Sequence, residues 1–383
     1  MGVKLAKTAG FCMGVKRAVD MVLDMVRQKG HGTIYTYGPL IHNPQTIELL
    51  RKRGIIPIRR LQEIEGVPAG AFMVIRAHGI SPGERKKIKE KGFRIIDATC
   101  PKVAHVQAII RKRAGAGFTV LIAGDREHPE VNGLLGFAGE AGIVIGAPED
   151  VDGLPALTKV CVVAQTTQSL EEYAAIVRRV KERFPEAVIF DTICDSTEKR
   201  QTEIKALAAG TAAVFIVGGR NSANTRRLAE LAKLRGKPAF HIETADDLKE
   251  IDVETYRRIG VSAGASTPNW IIGRVVDHLT GRLGKREEIL RHLFKIWVFA
   301  VRTDIYSAAG AGFLSFAAML LQGLPANPLL ILTASLYVYA MHVLNRFINR
   351  KASSISSFRE ESYLLHEKIY VTLAVLSMIL ALS

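Results

Sequence analysis

The chain has 383 residues, 48% of them hydrophobic and 23% charged, proportions that exclude wholesale disorder, a collagen-like repeat and a disulfide-stapled miniprotein. Lys and Arg number 52 against 37 Asp and Glu, and the net charge of +15 points to anionic partners: a phosphorylated substrate, nucleic acid or a lipid surface. Four cysteines are too few for a disulfide framework at this length, and the N-terminal stretch MGVKLAKTAGFCMGV lacks the apolar core of a secretory signal.

From residue 1 to about 280, short β-rich runs alternate with helical patterns. AFMVIRA, FTVLIAG, GIVIGA, KVCVVAQ, AVIFD, AVFIVGG and RIGVSAG read as strands bounded by Gly, Pro or Asp, and Glu171–Arg183 and Asn224–Arg235 are examples of the helices between them. This alternation predicts an α/β fold with mostly parallel sheet. Beyond Gly281 the texture changes. Ile305–Leu324 carries no charge, the PANP segment breaks it, and Leu329–Leu344 and Ile369–Leu382 are two further apolar runs separated by polar residues. A helix needs about 20 apolar residues to span a hydrocarbon core. The first run meets that length and has no polar face, which favours a membrane extension over a soluble helical bundle. Arg282, Lys285, Arg286, Arg291, Lys295 and Arg302 precede the first run, Arg346, Arg350, Lys351 and Arg359 follow the second, and the PANP connection has no basic residue. Basic flanks of this kind place the α/β part in the cytoplasm, attached to the inner face of the membrane. Only five of the fifteen excess charges lie beyond residue 280, so lipid attraction does not account for the rest.

None of the cysteines forms a CxxC pair, which disfavours a zinc ribbon or thioredoxin-type site. Cys12 in AGFCMGVKRA, Cys100 in DATCPKV and Cys194 in DTICDSTEKRQ each open a basic helical segment, at spacings of 88 and 94 residues. That pattern reads as a structural repeat offering one cysteine per unit near a helix N-terminus, where thiolate is favoured. Three thiolates meeting at the junction of three units would form a metal or iron–sulfur site; three unrelated buried cysteines is the other reading. Cys161, in the apolar strand KVCVVAQ, is a small core hydrophobe.

His42 (GPLIHNPQ), His78 (IRAHGI) and His128 (GDREHPEV) sit in loops after strand-like or Gly/Pro-punctuated segments, where α/β proteins place ligand sites. VGGRNSANT and SAGASTPNW each read as strand, glycine turn and helix start. Their backbone N–H groups, with Ser222, Asn224 and Ser266, suit an oxyanion or phosphate; simple helix capping by the same residues is the alternative. Glu130 is the carboxylic acid of the set, and Gln165, Thr166 and Thr167 end a strand beside it in the pattern.

The ordered segments GFCMGVKRA, IHN, RAHG, DATCP, HPEV, QTT, TIC, GGRNSANT and SAGASTP resemble the 4-hydroxy-3-methylbut-2-enyl diphosphate reductase (LytB) family over residues 10–278. The resemblance implies three α/β units, 1–97, 98–192 and 193–280, in a pseudo-threefold arrangement, with 281–383 as a helical, membrane-associated extension outside it. It implies one [4Fe–4S] cluster per chain held by Cys12, Cys100 and Cys194, with the fourth iron open to substrate. His42, His78, His128, Ser222, Asn224 and Ser266 would hold the substrate diphosphate, Thr166 would orient its hydroxyl, and Glu130 would be the proton source. Ala223 stands where the family commonly has a second serine, leaving a backbone N–H for that contact. The implied reaction is reductive dehydroxylation to isopentenyl and dimethylallyl diphosphate, the last step of the non-mevalonate route. A metal-free α/β module for anionic ligands is the competing class. Without a G-x-G-x-x-G nucleotide motif, electrons are expected from an external ferredoxin- or flavodoxin-type donor. Nucleic acid is not expected as a partner, because no basic run is interleaved with aromatics.

Overall fold

The computed structural model describes residues 2–28, 33–58, 63, 67, 70–281, 294, 296–301, 303–348 and 367–382. The chain divides into two compact units, Met1–Thr280 and Gly281–Ser383.

In the first unit the strands are β1 (Gly2–Leu5), β2 (Ile34–Tyr37), β3 (Ile55–Ile58), β4 (Phe72–Ile75), β5 (Arg94–Asp97), β6 (Thr119–Ala123), β7 (Gly142–Ile145), β8 (Val160–Ala164), β9 (Val188–Ile189), β10 (Ala213–Val217), β11 (Ala239–Ile242) and β12 (Arg258–Ala263). They form three four-stranded sheets of order β3-β2-β4-β5, β7-β6-β8-β9 and β11-β10-β12-β1. All pairings are parallel. Numbered within its own unit, each sheet has the same strand order, 2-1-3-4. The third sheet reaches that order by borrowing β1, which pairs with β12 from Gly2↔Arg258 to Leu5↔Val261.

The inner strands β8 (VCVVA) and β10 (AVFIV) are buried at every position, as expected for a parallel strand covered on both faces. Alternate residues of the second sheet serve two cores: Leu121, Val162 and Ala164 pack with Ile176 and Val180, whereas Val120, Cys161 and Val163 pack with Val106, Ile110 and Leu134. Edge strands are less apolar and less buried; β5 is RIID, with both ends exposed.

Nine α-helices follow these strands among the described residues of the first unit: α1 (Met13–Gln28), α2 (Pro44–Arg51), α3 (Pro82–Glu90), α4 (Pro101–Gly115), α5 (Pro129–Ala138), α6 (Leu170–Arg183), α7 (Asp195–Ala209), α8 (Ala223–Leu234) and α9 (Asn269–Thr280). Proline opens α2, α3, α4 and α5, where its missing N–H costs no helical hydrogen bond. Side chains cap several starts: Asn43 accepts from Thr46 N at 2.8 Å, Ser81 closes a capping box with Glu84, and Ser222 accepts from Thr225 N at 3.4 Å.

The second unit holds α10 (Ile305–Leu321), α11 (Pro328–Ile348) and α12 (Glu367–Leu382). α11 packs against both others, with Ala340, Val343 and Ala374 buried between helices and Gly312 of α10 set tightly against Ser335 of α11. The outward faces carry exposed Phe313, Leu321, Leu329, Leu332, Ile379 and Leu380. Among the described residues, one helix is long and apolar enough to cross a membrane, over Pro328–Asn345; α10 and α12 are shorter and also apolar.

Candidate active site

Parallel sheets present ligand sites at their strand C-termini, beside the point where chain order reverses. Each of the three sheets does so here. The loops five residues beyond the first strand of each unit (β2, β6 and β10) carry His42, His128 and Ser222. Loops after the third strands, β4, β8 and β12, carry His78, Thr166 and Ser266. Loops after the fourth strands, β5, β9 and β1, lead to Cys100, Cys194 and Cys12. These residues, with Glu130, Ala223 and Asn224, all line one cavity of about 750 Å³ including its mouth.

Each cysteine stands at a helix start. Cys100 and Cys194 are the N-cap residues of α4 and α7 and make no side-chain cap bond, while Cys12 immediately precedes α1 and its Sγ accepts from Val15 N at 3.5 Å. All four cysteines are free. Burial pushes the Cys100 thiol up, opposed by the N–H groups of Lys102 and Val103, and the neighbouring sulfurs of Cys12 and Cys194 raise it further. Three sulfurs within electrostatic reach of one another, none in a disulfide and two of them without a side-chain cap bond, fit a group that takes three thiolates. Gly14 keeps that space open: a Cβ there would sit 2.5 Å from Cys100 Sγ. Cys161 lies in β8, wholly buried in the second-sheet core and outside the cavity lining, so it offers no fourth sulfur.

The imidazoles form a second cluster. Ring centroids lie 4.5 Å apart for His42–His78, 5.6 Å for His42–His128 and 5.4 Å for His78–His128. His128 Nδ1 accepts from Glu130 N at 3.1 Å, which leaves Nε2 as the protonated nitrogen of the neutral ring. His42 Nε2 and His78 Nδ1 are buried without a hydrogen-bond partner, as is Asn224 Nδ2. Burial, then the Arg76 and Arg226 cations, lowers His42 to about 4; burial, then His42 and nearby arginines, lowers His128 to about 3; His78 is lowered well below the ordinary histidine value by burial and its two imidazole neighbours. Neutral imidazoles with unpartnered nitrogens and arginine cations nearby can receive an anion, and their ligand atoms are also close enough together to hold a metal ion. The third unit contributes hydroxyl, amide and backbone groups. Ser266 Oγ donates to His42 O at 3.0 Å, and a Cβ on Gly219 would meet that same carbonyl at 2.9 Å, so only glycine permits the approach of the β10 loop.

Glu130 is 2% exposed. Burial raises its carboxyl to about 7, against the pull of two hydrogen bonds from Thr166, N at 2.6 Å and Oγ1 at 2.9 Å. A carboxyl with this value can hold and release a proton near neutrality.

Three groups in or near the site were not singled out in the sequence. Arg76 is a half-buried cation beside the imidazoles, Thr197 donates to Thr166 O at 2.9 Å, and Arg200 is a buried guanidinium on α7. Arg200 lies six residues after Cys194, and nothing in DTICDSTEKRQ distinguishes it from the solvated Lys199 until the helix face is known.

Comparison with known proteins agrees with this geometry. The LytB protein family model matches residues 3–280. The chain belongs to the LytB family. Curated relatives include the 4-hydroxy-3-methylbut-2-enyl diphosphate reductases of Opitutus terrae, 44% identical over 73% of this chain and 99% of that protein, and of Pelobacter propionicus, 41% identical over 74% and 98%. Among solved structures, the E-1-hydroxy-2-methyl-but-2-enyl-4-diphosphate reductase of Plasmodium falciparum aligns with a TM-score of 0.70 at 30% identity, covering 73% of this chain and 88% of that one. A second solved reductase, described as the terminal enzyme of the non-mevalonate pathway, aligns at 0.55 and 38% identity over its full length. The LytB match ends where the first compact unit ends, so the apolar helices lie outside it.

Proposed function

We propose that the cavity performs the reaction for which the LytB relatives are named. The chain is a 4-hydroxy-3-methylbut-2-enyl diphosphate reductase that yields isopentenyl and dimethylallyl diphosphate, consuming two electrons and two protons and releasing water. What carries the reading is the convergence of three cysteines, three imidazoles and a buried carboxyl on one cavity.

The LytB family implies an iron–sulfur cofactor, and Cys12, Cys100 and Cys194 are the residues that would hold it, as one [4Fe–4S] cluster per chain. Such a cluster, when bound, supplies electrons singly and a Lewis-acidic iron for the substrate hydroxyl. The chain's own residues do the rest. His42 and His78 take up protons as the diphosphate enters and become charge-assisted donors, while His128 donates from the Nε2–H it already carries. Ser222, Asn224 and the Ala223 N–H, at the start of α8, add helix-end donors for its oxygens. Glu130 holds a proton near neutrality and delivers it to the departing hydroxyl oxygen. Thr166, bonded to both carboxyl oxygens, fixes the direction of delivery. Burial of the acid keeps bulk water from competing for its proton. Electrons come from an external ferredoxin- or flavodoxin-type protein, for which the positive chain favours an acidic surface.

The catalytic part is read as three units, 1–97, 98–192 and 193–280, the third completed by β1. The helical extension is read as bilayer-embedded, holding the catalytic part at the cytoplasmic face. Its exposed apolar faces support this, as does the contact of Trp297 with Tyr306 at 4.8 Å, an aromatic pair of the kind enriched at membrane interfaces.

The direct test is anaerobic incubation of the purified protein with 4-hydroxy-3-methylbut-2-enyl diphosphate and a one-electron reductant. The reading predicts both five-carbon diphosphates as products; unconsumed substrate with a loaded cluster would refute it.

A further inference from the structure

Arg200 is 3% exposed and sits on the inner face of α7. Its Nη2 donates to Gly10 O at 2.7 Å and its Nη1 to Ala263 O at 3.2 Å. Both acceptors are neutral carbonyls. Nε is buried with no partner, and no carboxylate ion pair to this side chain exists among the described residues. The nearby Glu203 carboxylate is occupied by Lys7 N, Thr8 N and Thr8 Oγ1. A guanidinium buried against two carbonyls is costly unless an anion completes its surroundings. Cys12 and Cys194 are two of the three acidic groups that act on it electrostatically.

We propose that Arg200 is the fixed counter-charge of the three-cysteine site, a positioning residue that neutralises the Cys12 and Cys194 thiolates and raises the reduction potential of the group they hold. This rests on the iron–sulfur reading of those cysteines. The same fork also ties the Gly10 loop, which leads into Cys12, to the end of β12, which leads into Ser266. Cys12 N donates to Ala265 O at 3.1 Å alongside it. One buried cation therefore links the loop that holds metal to a loop that faces the diphosphate. A positive charge held beside the cluster stabilises its reduced, more negative form. A second basic feature, the pocket between α3 and α4 lined by Arg85, Lys86, Lys89 and Arg111, has no comparable orphaned donor.

The test uses the full chain, loaded anaerobically, with Arg200→Met removing the charge at similar length and Arg200→Lys keeping it. Midpoint potential is read by a spectroscopically monitored redox titration, and iron retention by the rate of release to a chelator. The proposal predicts that Arg200→Met shifts the reduced-to-oxidised ratio at fixed potential at least tenfold toward oxidised, about 59 mV for one electron, and releases iron at least tenfold faster. Arg200→Lys should stay within about threefold of the wild type in both. Wild-type potential and iron retention in Arg200→Met would overturn it. So would an Arg200→Lys shift as large as that of Arg200→Met, which would assign the effect to shape. If Arg200→Met does not fold, Arg200→Lys decides alone, a tenfold shift being contrary. A wild-type chain that binds no iron would instead overturn the reading of the cysteines.

Discussion

Thr166 joins the buried Glu130 carboxyl to the sulfur loop: its N and Oγ1 hold Glu130 at 2.6 and 2.9 Å, while its carbonyl oxygen accepts from Cys194 N at 3.0 Å and Thr197 Oγ1 at 2.9 Å. A single residue at the end of β8 therefore sets the distance between the acid and one cysteine. Glu130→Gln keeps the shape and removes the proton. Turnover should fall about 10²–10⁴-fold, the usual contribution of a general acid, with iron content unchanged. Near-normal turnover in this variant would remove Glu130 from the proton path.

The same carboxyl sets a pH dependence. Its value of about 7 lies above the unfolded carboxylate range, so the protonated form prevails below that pH and is lost above it. Turnover should be level below pH 7 and fall about tenfold per unit above it. The neutral acid also favours the fold at low pH, a contribution lost as pH rises through 7. A rate profile of unchanged shape in Glu130→Gln would assign the falling limb to another group.

The imidazoles titrate in the opposite sense. Their folded values lie below the ordinary histidine range, so the unfolded chain binds more protons between about pH 4 and 6.5, and the empty protein loses stability as pH falls through that window. On the proposed reading, a bound diphosphate would reverse the preference by pairing with charged rings. Inorganic pyrophosphate should bind at pH 7 with net proton uptake, visible as a calorimetric enthalpy that depends on the buffer. His42→Asn should reduce that uptake and weaken binding about 10- to 100-fold, the worth of one charge-assisted hydrogen bond. Uptake unaltered in the variant would exclude His42 as a proton acceptor.

Much of this was legible in the sequence, and the omissions have physical causes. Inner strands such as VCVVA and AVFIV announce themselves because burial on both faces demands an unbroken apolar run. β1 (GVKL), β3 (IIPI) and β5 (RIID) do not, since edge positions tolerate charge, exposure and even Pro57. The pairing of β1 with β12 joins segments more than 250 residues apart and leaves no local trace. The cysteines were visible as a repeat because each follows a fourth strand of equal rank, and His42, His128 and Ser222 share a first-strand position for the same reason. Arg200 stayed hidden, because a buried cation looks like a surface one until its partners are placed, and the half-buried Arg76 did for the same reason.

Membrane attachment has its own measurement. Cell membranes carrying the full chain, washed in alkaline carbonate, should retain it in the pellet and release it only to detergent, as integral helices require. Recovery in the carbonate supernatant would show that the three apolar helices form a soluble bundle.

The most direct measurement is iron and acid-labile sulfide per chain after anaerobic purification, in the wild type and in Cys12→Ser, Cys100→Ser and Cys194→Ser. The account predicts close to four of each in the wild type, a brown protein, and severe loss of both in every variant, while Cys161→Ser stays loaded. A colourless wild type without iron, or a full complement in any of the three cavity variants, would contradict it.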